Sequence, residues 1–100
     1  MLALVRGRGV KVRIRQVPAR KDPMPNGWYQ AREICIYARD RMAQASAISS
    51  LLIHEYGHFL AELAGDCGAS EAQVWELGRR AIPSTLLPNQ FDIVRKFCLT

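Results

Sequence analysis

Hydrophobic and polar residues alternate near the start of the chain and shift to a helical rhythm further along. In "VKVRIRQV" (10–17), Val10, Val12 and Ile14 alternate with Lys11, Arg13 and Arg15, the two-residue period of a half-buried strand. The next stretch, "PARKDPMPNGW" (18–28), holds three prolines and an Asn-Gly pair and predicts a loop or turn. Strand character returns in "WYQAREICIYARD" (28–40), with Ile34 and Ile36 on one face and Cys35 and Tyr37 on the other. From Asp40 the texture changes. "RMAQASAISSLLIHEYGHFLAELAG" (41–65) is rich in Ala and Leu, lacks proline and ends at Gly65, predicting a long helix that buries Ile48, Leu52, Phe59 and Leu63. After a turn at "GDCGA" (65–69), "SEAQVWELGRRAI" (70–82) opens with Ser70 and Gln73 in a capping box and stops before Pro83. Beyond the loop "PSTLLPN" (83–89), the tail "QFDIVRKFCLT" (90–100) predicts a last short helix that packs Phe91, Val94 and Phe97. The order is strand, strand, long helix, helix, helix. It predicts a single small α+β domain over 1–100, with the helices segregated on one side of a sheet edge.

Composition narrows the class. Hydrophobic residues make up 49% and charged residues 23%, as in ordinary globular chains, which argues against disorder. No apolar run approaches the ~18–20 residues that cross a bilayer. The start, "MLALVRGRGVKVRIR", has too short an apolar patch and too early an arginine for a secretory signal. Cys35, Cys67 and Cys98 are odd in number, far apart and without a C-x-x-C pair, so they predict neither a disulfide framework nor a four-thiolate zinc site. The expected compartment is the cytoplasm. The net charge of +5 gathers in the first 41 residues. The alternation in 10–17 assigns much of it to a solvated strand face, and no recognised nucleic-acid motif accompanies it, so nucleic acid is not the expected partner.

The chemistry concentrates in "LLIHEYGHFL" (51–60), which contains both histidines of the chain. Residues four apart share a helix face, so His54 and His58 can point ring nitrogens at one metal ion at about 2.0–2.1 Å. Glu55, about 100° round the helix, is offset from them and suits the base that takes a proton from metal-bound water. H-E-x-x-H encodes that pair and base. Gly57, lacking a side chain, lets another backbone or a substrate approach between the ligands. A catalytic zinc requires a third protein ligand. Glu62, Asp66, Cys67, Glu71 and Glu76 are the candidates, and a glutamate on the next helix, facing back across the hairpin, is the expected one. A tight antiparallel return would bring Glu76 level with His58.

"LLIHEYGH" followed by a helix beginning "EAQVWELG" resembles the gluzincin metallopeptidases, whose third zinc ligand is a glutamate on a separate glutamate helix. The upstream "GWYQAREICIYARD" is similar to the Gly-x-Tyr stretch and Ile-x-Ile strand of the ImmA/IrrE family, and the chain's size is similar to that of the minigluzincins. The resemblance covers residues 27–83. It implies a minimal zincin-like domain, with a small antiparallel or mixed sheet packed on an active-site helix, a glutamate helix and a C-terminal helix. It also implies a Zn2+-dependent hydrolase of peptide or protein substrates, with His54 and His58 as ligands and Glu55 as the base. The family's E-x-x-A-N register places Glu71 at the third ligand position and keeps Pro83 outside the helix. Trp75 stands where a small polar residue usually steadies a ligand. By the same resemblance, the strand around Ile34–Ala38 would line the cleft and pair with an extended peptide. Two roles stand open for the tail: a latency segment that brings Cys98 to the metal, as minigluzincin tails imply, or a packed terminal helix with a buried thiol. The rival class is a regulatory or interaction module that keeps a zincin-like zinc site without general proteolysis.

Overall fold

In a computed structural model of the chain, residues 1–18, 25–40, 44–66 and 68–99 are described. The elements are α1 (Leu2–Gly7), β1 (Lys11–Gln16), β2 (Asn26–Gln30), β3 (Glu33–Ala38), α2 (Ala45–Leu63), α3 (Glu71–Ala81), a 3-10 turn (Ser84–Leu86) and α4 (Phe91–Leu99). This is the expected α+β class, with a three-stranded mixed sheet and four α-helices. No helix among the described residues is long and apolar enough to cross a membrane.

The sheet runs in the order β1-β3-β2, with β3 parallel to β1 and antiparallel to β2. Alternation sets its faces. Val12, Ile34 and Ile36 are buried inward, whereas Lys11, Arg13 and Arg15 project from the opposite face. Tyr29 of β2, on the inward side, meets Phe59 of α2 edge-on with ring centroids 6.2 Å apart. The long helix therefore lies across β2 and β3, and its buried positions form the core with the sheet.

Several expectations need correction. The stretch 28–40 is two strands, joined at Ala31 and Arg32, which take φ of 48° and 63°. That pair of positive angles is the two-residue hairpin turn that usually recruits Asn-Gly, so Ala-Arg gave no signal of it. The actual Asn26-Gly27 pair lies inside β2 rather than in a turn. Gly27 is needed there for a close approach, because a Cβ would stand 2.8 Å from the Cys35 carbonyl oxygen. Strand β3 is the centre of the sheet, paired on both sides, so it has no free edge for a peptide; among the described residues β2 has one. The first residues form α1, which inserts Val5 into the core and is tied to β1 by Arg6 donating to the Val12 carbonyl at 3.1 Å. Leu63 and Phe97 were expected inside, but they are 51% and 61% exposed. Leu63 is the last residue of α2, and of the three expected residues of α4 only Phe91 and Val94 turn inward.

Candidate metal centre

The two histidines stand one turn apart on α2, with ring centroids 4.8 Å from each other. Both Nε2 atoms face the carboxylate of Glu71, at 2.7 Å from His54 and 3.6 Å from His58. One ligand atom from each of these three residues lies within 4.8 Å of the others, a group that could hold a metal ion. Two imidazoles and a carboxylate are a donor set suited to zinc and other borderline divalent metals.

Glu71 reaches the histidines because α3 is locked to α2 at two glycines. A Cβ on Gly57 would lie 2.1 Å from the Val74 carbonyl oxygen, and one on Gly78 would lie 2.2 Å from that of Ile53. The backbones touch at both points, so the expectation that Gly57 admits another backbone is met by α3 itself. The antiparallel register that sets Gly57 against Val74 puts His58 level with Gln73, not Glu76. In the same register Glu76 is level with Glu55, but its side chain turns to arginines instead of the imidazoles, 3.1 Å from Arg80 and 3.9 Å from Arg79 and Arg95. Glu71, in the first turn of α3, reaches back to both rings. Its helix start is held by the expected capping box: Ser70 Oγ accepts from the Gln73 N–H at 3.2 Å, and Gln73 Oε1 accepts from the Ser70 N–H at 2.8 Å.

Two further side chains fix His54. Its ring stacks on Trp75 at 4.5 Å and 14°, and Trp75, 1% exposed, is backed edge-on by Phe91 of α4 at 5.6 Å. Packing against Trp75 thus steadies the ring. Glu55, 4% exposed, lies with its carboxylate 3.1 Å from His54 Nδ1. A carboxylate on Nδ1 orients the ring and leaves Nε2 for the metal side. Burial pushes the His54 pKa down, but hydrogen bonding and charge from Glu55 and then Glu71 outweigh it, and the net shift is upward.

A cavity of about 470 Å³ opens beside His58 and Glu71, with Tyr29, Glu62 and Asp66 in its wall. Glu62 and Asp66 line this space rather than join the histidines, and Cys67 falls outside the described residues. Tyr29 was not singled out from the sequence, though Gly27-x-Tyr29 was part of the resemblance. Its hydroxyl accepts from the Arg32 N–H at 3.1 Å, and burial, then the Glu62 side chain, push its pKa up. Among the described residues α4 contributes none to the cavity wall, and Cys98 is exposed rather than buried in the core.

Comparison of the chain with protein-family models, with curated proteins and with solved structures finds no match, so the centre is read from its own geometry.

Proposed function

We propose that the chain is a zinc-dependent metallopeptidase of gluzincin type, with His54, His58 and Glu71 as metal ligands and Glu55 as the base. The observation that carries this reading is the convergence of both histidine Nε2 atoms on the Glu71 carboxylate, with a second, buried carboxylate beside the first histidine. A bound zinc would lower the pKa of its water to about 7 and polarise a carbonyl. The protein's own groups supply the rest. Glu55 takes the proton of the attacking water and delivers it to the departing amine. Trp75 holds the His54 ring against rotation. An extended substrate pairs with the free edge of β2, which leads past Tyr29 to the cavity beside His58.

A second reading, an interaction module whose metal is structural, draws on the 3.1 Å contact of Glu55 with His54, which gives that carboxylate an orienting task. Glu55→Gln separates the two. The Gln carbonyl oxygen can still accept from Nδ1–H, so the metal is retained in either case. Peptide-library digestion followed by mass spectrometry is expected to show metal-dependent cleavage that the variant lowers by roughly 10²–10⁴-fold. Cleavage equal in both proteins, or none by the zinc-loaded wild type, would reject the peptidase reading.

A further inference from the structure

The sheet face turned away from α2 carries a pattern that the metal centre does not use. Its rows, read across β1, β3 and β2, are Lys11–Glu33–Gln30, Arg13–Cys35–Trp28 and Arg15–Tyr37–Asn26. Trp28 is 38% exposed although it is the largest side chain type, and Tyr37 beside it is half-buried. The Trp28 Nε1–H donates to the Tyr37 hydroxyl at 3.3 Å, which ties the two side chains together. As diagonal neighbours on one face they are about 7–8 Å apart at the backbone.

Cations border these rings. Lys11, Arg13 and Arg15 are all exposed, and among the described residues of the three strands Glu33 is the only carboxylate on the face. Glu33 pairs with Arg13 at 3.0 Å, while among the described residues no ion pair engages Lys11 or Arg15. At the Tyr37 end a cavity of about 240 Å³ is lined by Val17, Asn26, Tyr37 and Arg39. The Arg39 Nε atom is buried, with no hydrogen-bond partner among the described residues. The Asn26 amide beside the Tyr37 ring suits the polar edge of a planar ring.

We propose that this sheet face binds single-stranded nucleic acid, with bases on Trp28 and Tyr37 and phosphates on Lys11, Arg13 and Arg15. Aromatic rings on an open sheet give each base a stacking surface, and flanking cations neutralise the backbone. A duplex keeps its bases stacked inside and cannot use the rings. The net charge of +5 favours approach of a polyanion. The basic strand that periodicity assigned to solvent thus gains a partner through its neighbours: Trp28 belongs to β2, and the hairpin brings it alongside Tyr37.

The test is fluorescence anisotropy of labelled single-stranded DNA and RNA of about 12 nucleotides, within the ~4–16 that one small domain covers, across a salt series. Three phosphate contacts predict a log–log salt slope of about −2, and Arg15→Ala should reduce it by about 0.7. Trp28→Ala should weaken binding roughly tenfold with the slope unchanged, and Trp28→Phe should restore most of it. Trp75 is 1% exposed, so quenching of tryptophan emission by the oligonucleotide reports on Trp28 directly. The proposal is overturned by no binding, by a duplex, polyphosphate or acidic peptide binding as tightly as the single strand, or by a folded Trp28→Ala protein that binds like the wild type.

Discussion

His54 is the residue on which the candidate metal centre turns, because it has a partner on each ring nitrogen and an aromatic plane beneath it. In the metal-free protein Glu55 and Glu71 favour its protonated form, and together they raise its pKa despite burial. A raised folded pKa contributes stability that is fully present below the unfolded value of about 6.5 and is lost as pH rises through the folded value. The metal-free protein should therefore lose this contribution on going from mildly acidic to alkaline pH. Zinc requires the neutral ring, so its affinity should rise over the same range. NMR titration of the imidazoles in chelated protein checks the cause: His54 should titrate above its ordinary value. A titration at or below 6.5 would show that burial outweighs both carboxylates.

The α2–α3 pair decides which glutamate meets the histidines, and it was only half legible in the sequence. The ends of α3 were readable, because Ser70, Gln73 and Pro83 are local signals whose physics is complete within a few residues. The register of α3 against α2 was not readable from the turn. A symmetric return points to Glu76, whereas the backbone contacts at Gly57 and Gly78 select Glu71. Their signal was present as two glycines inside helical patterns, a costly choice that needs a packing reason. The β2–β3 hairpin was hidden for the opposite cause, since its turn uses Ala31 and Arg32 where glycine or asparagine is usual. Gly57→Ala should force α3 away from Val74, cost roughly 1–3 kcal/mol and weaken zinc binding by displacing Glu71. Gly7→Ala, where an added Cβ meets nothing within 4 Å, is the control and should leave both unchanged. Denaturant melts and zinc titrations of the two variants decide it. A Gly57→Ala protein with wild-type stability and affinity would mean that the close approach does not set the register.

At the scale of the molecule, α4 is a buttress for the centre. Phe91 and Val94 are 3% and 5% exposed, Phe91 backs Trp75, and the Gln90 N–H donates to Ser46 Oγ at 3.3 Å. Loss of one buried Phe side chain costs about 3–5 kcal/mol, a large part of the ~5–15 kcal/mol that holds a domain of this size. Truncation after Asn89 should accordingly lower the melting temperature and zinc affinity together. A truncated protein that stays folded and gains peptidase activity would restore the latency role that minigluzincin tails suggest. The α+β class and the inward faces of β1 and β3 were legible because alternation and helical period are properties of the chain itself. The strand order was not, since it depends on which strands meet from distant parts of the sequence.

The most direct measurement is anomalous diffraction at the zinc edge from crystals grown with zinc. One ion should lie within about 2.0–2.2 Å of His54 Nε2, His58 Nε2 and a Glu71 carboxylate oxygen, with at least one position left for water. An ion held through Glu76, or no anomalous peak between the histidines, would contradict the account.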